Sequence, residues 1–176
     1  TGASDGLGKQ LAKICKESGK TVVNISRRKC EYADYNILHN LREGSEIINA
    51  AKEVSAINEP LDAIVNCAGV MSIEPLGKIT EDEIKRVMST NVKSAILLVS
   101  NLIDRIKKDG TDIMNVASTV GFKGYVDQAV YGASTWAMRG FSANLQVELK
   151  DTPCRVISFC VGGFNSDIAK RLPEKK

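Results

Sequence analysis

The sequence predicts an α/β protein, a doubly wound parallel sheet built as a single domain over residues 1–176. Three observations carry this. Short strands that are apolar throughout recur along the chain, they alternate with segments whose apolar residues have helical spacing, and a glycine-rich turn leads into the first helix. Strands buried on both faces give unbroken apolar runs, and helices between them cover a parallel sheet.

The elements follow in order. After the turn TGASDGLG, the residues Leu7, Leu11, Ile14 and Cys15 mark one face of a helix that Gly19 ends. TVVNIS (Thr21–Ser26) is a β-branched run and predicts a buried strand. Only Lys29 to Tyr32 separate NISRR from ADYNIL, too few for a crossover helix. Either that loop is short or the adjoining strand lies outside the parallel sheet. Ile47, Ile48, Ala51 and Val54 give the next helical face, ending before Pro60, and DAIVNCAG (Asp62–Gly69) is a second buried strand. Thr80–Glu83 reads T-E-D-E, a capping box that opens a long helix through about Lys108. A strand over DIMNVAS (Asp112–Ser118), a helix over Ala133–Leu149 and a strand over RVISFCV (Arg155–Val161) complete the pattern. No linker or internal repeat suggests a second domain. A glycine turn of this kind joins a strand to a helix, so its place at residue 1 predicts that the first strand is missing and that the C-terminal part is short.

Composition excludes several classes. Hydrophobic residues at 43% and charged residues at 26% are ordinary for a globular protein. A net charge of +3 with scattered Lys and Arg lacks the footprint of a nucleic-acid binder. The cysteines Cys15, Cys30, Cys67, Cys154 and Cys160 are odd in number and form no C-x-x-C pair. With a single histidine, His39, they make poor material for a metal site, so none is expected. Free thiols packed as small hydrophobes in a reducing cytoplasm fit better, and His39, in a polar stretch, is expected at the surface. The longest apolar run, Ala95–Ser100, is too short to span a bilayer and no basic leader is visible. The expectation is a cytoplasmic protein with no membrane partner.

Gly2, Gly6 and Gly8 have the spacing G-x-x-x-G-x-G. Side chains there would keep the backbone away from a pyrophosphate, and the helix that follows offers free N–H groups and the positive end of its dipole to that anion. With a helix and a β-branched strand behind it, the turn predicts a dinucleotide site. An acidic residue at the end of the next strand would bind a free ribose 2′-hydroxyl, but the chain has Ser26, Arg27 and Arg28. Two guanidiniums suit a 2′-phosphate and favour NADP(H) over NAD(H). Solvated arginines in a loop are the bland alternative.

These residues resemble the short-chain dehydrogenase/reductase family. T-G-x-x-x-G-x-G at Thr1–Gly8 is similar to its cofactor turn, and NCAG at Asn66–Gly69 to its N-N-A-G element, with Cys67 for the second Asn. STNVKSA puts Asn91 at the family's helix asparagine, NVASTVG puts Ser118 at its serine, and YGAST puts Tyr131 at its tyrosine. RVISFCVGGFNSD resembles the segment written P-G-x-x-x-T, with Val161 for Pro and Ser166 for Thr. The matches run in order over nearly the whole chain. The resemblance implies a Rossmann-type fold and hydride transfer between a nicotinamide and a carbonyl or alcohol, with Asn91, Ser118 and Tyr131 catalytic. It assigns Gly2, Ser4, Gly6, Leu7, Gly8, Arg27, Arg28, Asn66, Ala68, Gly69, Tyr131, Gly162 and Ser166 to the cofactor. It also implies a homodimer or homotetramer through the helices around Thr80–Lys108 and Ala133–Lys150. Asp34 is a further candidate for adenine.

In that family a lysine four residues after the tyrosine lowers the phenol pKa and holds the nicotinamide ribose; here the position is Thr135. A nearby opposite charge shifts a pKa by roughly one to three units, and general acid–base catalysis is worth roughly 10² to 10⁴ in rate. The expectation is an intact cofactor fold with impaired chemistry. A catalytically silent nucleotide-binding or assembly protein is the alternative from another class, and a non-functional fragment or dead variant a third.

Overall fold

The computed structural model describes residues 1–163. Five strands, β1 (Val23–Ser26), β2 (Tyr35–Leu38), β3 (Ala63–Asn66), β4 (Asp112–Ser118) and β5 (Val156–Val161), form two sheets in the orders β1-β2 and β3-β4-β5. Every pairing is parallel. Helices α1 (Gly6–Glu17), α2 (Gly44–Ser55), α3 (Glu81–Met88), α4 (Ser94–Asp109) and α5 (Ala129–Glu148) alternate with them. The α/β class and the order of elements match the expectation.

The short loop after β1 is the alternative the structure takes, and the adjoining strand β2 does lie in a parallel sheet. Val23 pairs with Tyr35 and Ser26 with Leu38, with no helix between the strands. Asparagines on the facing strands hold the loop in shape. The fully buried Asn24 donates through Nδ2 to Arg28 O (3.0 Å) and Asn36 Oδ1 (2.9 Å), and Cys30 N donates to the same Oδ1 (2.7 Å).

The long helix expected over Thr80–Lys108 is interrupted. Ser89–Lys93 form a π-helical turn between α3 and α4. Two hydroxyls bond back along the helix there, Thr90 Oγ1 to Arg86 O (2.8 Å) and Ser94 Oγ to Thr90 O (2.6 Å), a substitution known to bend helices. Thr80 caps α3 by accepting from Glu83 N (3.2 Å), but the Glu83 carboxylate turns to Arg86. Helix α5 starts at Ala129 rather than Ala133, which places Tyr131 in its first turn.

The main core lies between β1, β3, β4 and the helices α2, α4 and α5. Ile47, Leu98, Leu102, Ile106, Ile113 and Leu149 are its fully buried large side chains. Thr1 and Gly2 bridge the two sheets near their carboxyl ends. Gly2 N donates to Ile25 O (3.0 Å), the Thr1 amino group to Val65 O (2.7 Å), and Thr1 Oγ1 accepts from Cys67 N and Ala68 N. The glycine turn is thereby fixed at the edge where ligands meet open α/β sheets.

Candidate active site

A cleft of about 690 Å³ runs along this carboxyl edge. One end is built from the glycine turn. Gly2 has φ +70°, and a Cβ there would sit 2.8 Å from Ala68 Cα; a Cβ at Gly8 would sit 2.5 Å from Gly2 O. Gly6 has φ +53° and open space where a Cβ would project. Such close backbone packing around an open face fits a pyrophosphate, whose charge the N-terminus of α1 would meet. Asp5 caps α1, accepting from Gly6 N (2.7 Å), and its carboxylate also takes Arg28 Nη2 at 3.0 Å. Arg28 is therefore spent on the turn, while Arg27 stands exposed on the cleft wall.

The other end holds Ser118 and Tyr131. Ser118 ends β4, and its Oγ accepts from Val120 N (3.3 Å) in the 3₁₀ turn Thr119–Gly121. Tyr131, in the first turn of α5, lines the same cleft. Burial pushes the Tyr131 phenol above its usual value, and the neighbouring Ser118 hydroxyl offsets this only in part. Asn91 sits on the π turn. Its Oδ1 accepts from Val70 N (2.8 Å), and its Nδ2 donates to Val70 O (2.9 Å) and Ser134 Oγ (3.1 Å). Ser134 in turn donates to Tyr131 O (2.7 Å). Asn91 thus fastens the segment after β3 to the helix that carries Tyr131, a positioning role.

Thr135 is 5% exposed, and its hydroxyl donates to Gly132 O (2.9 Å), back into its own helix. Arg139, a turn further on, does not take the place of a lysine. It donates to Gly121 O (2.5 Å) and its guanidinium lies 3.9 Å from the Phe122 ring centre and 5.2 Å from that of Trp136, outside the cleft lining.

Gly2, Ser4, Gly6, Leu7, Gly8, Arg27 and Arg28 all line the cleft, as do Ala68, Gly69, Asn91, Ser118, Tyr131 and Gly162. Asn66 does not. It is buried beneath the cleft, where its Nδ2 donates to Asn115 Oδ1 (2.8 Å). Ser166 lies outside the described residues. Asp34 turns away from the cleft, accepting from Val22 N (2.9 Å) and pairing with Lys16. His39 is not a free surface residue. Its side chain is 18% exposed, lines the cleft and is held between Glu53 (2.6 Å) and Glu46 (3.6 Å).

Sequence reasoning missed His39, Asn40, Arg42, Arg86 and Gln128 in the lining. For the first three the signal was the parallel register of β1 and β2. It carries the residues after Leu38 alongside Arg27, and His39 N donates to Ser26 O (3.1 Å).

A doubly wound α/β fold with a glycine cradle at one end of the cleft and a serine–tyrosine pair at the other defines an NAD(P)-dependent oxidoreductase. The family model "short chain dehydrogenase" matches residues 1–176, and the chain belongs to that family. It is 25% identical over 183 residues to the 3-oxoacyl-[acyl-carrier-protein] reductase of Rattus norvegicus, covering 99% of this chain and 78% of that protein. It is 29% identical over 182 residues to carbonyl reductase family member 4 of Xenopus tropicalis, covering 98% of this chain and 77% of that protein. A short-chain dehydrogenase from Streptomyces avermitilis shares the fold with a TM-score of 0.87 at 24% identity. That match covers 95% of this chain and 65% of the other.

Proposed function

We propose that this chain binds NADP(H) in preference to NAD(H) and reduces a small carbonyl or 3-oxoacyl-type substrate, at a rate held down by Thr135. The observation that carries the chemistry is that Ser118, at the end of β4, and Tyr131, in the first turn of α5, line the same cleft as the glycine turn. The names of the rat and Xenopus relatives support the substrate class. Arg27 at the end of β1, with no acidic residue beside it, supports the 2′-phosphate.

A nicotinamide cofactor held along the cleft would supply the hydride. Ser118 Oγ donates to the substrate carbonyl oxygen and fixes it beside Tyr131. The Tyr131 hydroxyl gives that oxygen its proton, and in the reverse direction takes it back. Asn91 and Ser134 hold α5 in place so that these two oxygens converge. The glycine turn would hold the pyrophosphate through backbone N–H groups.

The absence of a cation at position 135 favours a second reading, a catalytically silent dinucleotide-binding protein. Fluorescence titration with NADPH, followed by NADPH oxidation against a carbonyl panel, separates them. Tight binding with slow turnover supports the enzyme, tight binding with none supports the silent binder, and no binding sinks both.

A homodimer or homotetramer is part of the proposal. Ile96 and Ile103 on α4 and Phe141 on α5 line a groove between those helices, apolar surface that a second copy would cover. Sedimentation would show a mass above the monomer's. No described helix is long and apolar enough to cross a membrane. The five cysteines stand free, which suits the reducing cytoplasm we propose for it.

A further inference from the structure

We infer that Arg42, together with Arg27, forms a two-sided site for the ribose 2′-phosphate of the dinucleotide, a phosphate monoester dianion. The inference rests on the NADP(H) reading and assigns a residue to it that lies outside the glycine turn and outside β1. Of the two arginines that follow β1, Arg28 is already paired with Asp5. One guanidinium is left there to face a dianion.

The register of the small sheet supplies the second. Ser26 pairs with Leu38, and His39 N donates to Ser26 O at 3.1 Å, so the chain leaving β2 runs beside the chain leaving β1. The turn that follows is held from several sides. Asn40 Oδ1 accepts from Arg42 N (3.2 Å), Asn40 O accepts from Glu43 N (3.0 Å), and Lys93 Nζ donates to Arg42 O (2.7 Å). The Arg42 backbone is fixed while its side chain is exposed and lines the cleft. Among the described residues no carboxylate pairs with Arg42 or Arg27. Two acids on α2, Glu46 and Glu53, are turned to His39, and among the described residues Glu43, next to Arg42 in the chain, forms no ion pair with it. Two planar guanidiniums on adjoining loops, each with its donors available, match a dianion that accepts from more than one side.

The test uses the whole chain and two probes, 2′,5′-ADP, which carries the 2′-phosphate, and 5′-AMP, which lacks it. Calorimetry on Arg42→Ala and Arg27→Ala reads the effect without any need for turnover. Loss of one charge-assisted contact weakens 2′,5′-ADP on the order of tenfold, leaves 5′-AMP within about twofold, and shrinks as salt is added. Arg42→Lys keeps the charge and recovers part of the loss. The inference is overturned if Arg42→Ala leaves 2′,5′-ADP unchanged while Arg27→Ala weakens it, and the NADP(H) reading then stands. Equal weakening of both probes by Arg42→Ala also overturns it, because that marks a structural effect. If the unaltered chain binds 2′,5′-ADP no more tightly than 5′-AMP, the NADP(H) reading itself falls.

Discussion

Ser118, the last residue of β4, and Tyr131, in the first turn of α5, line one cleft, and among the described residues no positive charge acts on that phenol. Burial therefore decides the outcome, and Tyr131 is held above a phenol's usual pKa of about 10. An acid this weak transfers its proton reluctantly at neutral pH. The pair is assembled, yet its chemistry lacks a charge.

Thr135→Lys supplies that charge one helical turn from Tyr131, on the same face of α5. Thr135 already lines the cleft, so the longer side chain can extend into it. Carbonyl reduction by the variant should rise by roughly 10²-fold, the lower end of what positioned acid–base catalysis supplies. Steady-state NADPH oxidation measures this. An unchanged rate, with NADPH binding intact, would mean that Tyr131 is not the proton donor.

The pH dependence of the reverse reaction follows from the same group. Alcohol oxidation needs Tyr131 ionised, and a raised phenol pKa keeps the ionised fraction small until the pH passes about 10. The rate should climb with pH through 10 without levelling, as long as the fold survives. In Thr135→Lys the rise should come about one to three units lower, the shift an adjacent opposite charge produces. A profile that is flat above pH 8 in the unaltered chain would contradict the raised pKa.

Gly2 and Gly6 both adopt positive φ, but their surroundings differ. At Gly2 a Cβ meets Ala68 Cα at 2.8 Å, whereas at Gly6 it meets nothing within 4 Å. Gly6→Ala therefore carries only the left-handed backbone strain, about 1–2 kcal/mol. Gly2→Ala adds a collision between the turn and the segment after β3, roughly 1–3 kcal/mol more. Urea denaturation should rank Gly2→Ala as the less stable, and both variants should lose NADPH affinity. Equal midpoints would mean that the turn and that segment move apart freely.

Much of this was legible because strand and helix signals were local. Asp112–Ser118 is a strand to the residue, and a helix forms over Gly6–Glu17 as expected, although it buries Gly8 and Ala12 rather than the face marked by Leu7, Leu11 and Ile14, and leaves Ile14 exposed. The π turn was not legible, because Met88, Val92, Ala95 and Leu98 keep a helical spacing across it while its cause is a pair of hydroxyls bonding to backbone carbonyls. The adenosine wall of the cleft was missed for a topological reason. A parallel pair joined by so short a loop depends on Asn24 and Asn36 meeting across strands, and no local pattern announces that. Asn66 matched its motif and still proved to face the interior. Strand alternation places it there, between Val65 and the fold's buried polar chain.

That buried chain separates structural from cofactor roles. Asn115 is fully buried; its Oδ1 accepts from Asn66 Nδ2 (2.8 Å) and its Nδ2 donates to Ser142 Oγ (2.9 Å). Asn115→Ala leaves Asn66 Nδ2 without its acceptor, while Ser142 Oγ keeps its bond to Met138 O (2.8 Å), so a loss of about 1–3 kcal/mol is expected. Asn66→Ala strands only Asn115 Oδ1. It also removes Asn66 Oδ1, which is buried without a hydrogen-bond partner among the described residues, so its cost should be nearer 1 kcal/mol. Neither side chain lines the cleft, and NADPH affinity in both variants should stay within about twofold of the parent wherever the protein is folded. Urea midpoints and an NADPH titration on the same samples test both halves. A large affinity loss in Asn66→Ala at unchanged stability would return Asn66 to the cofactor site.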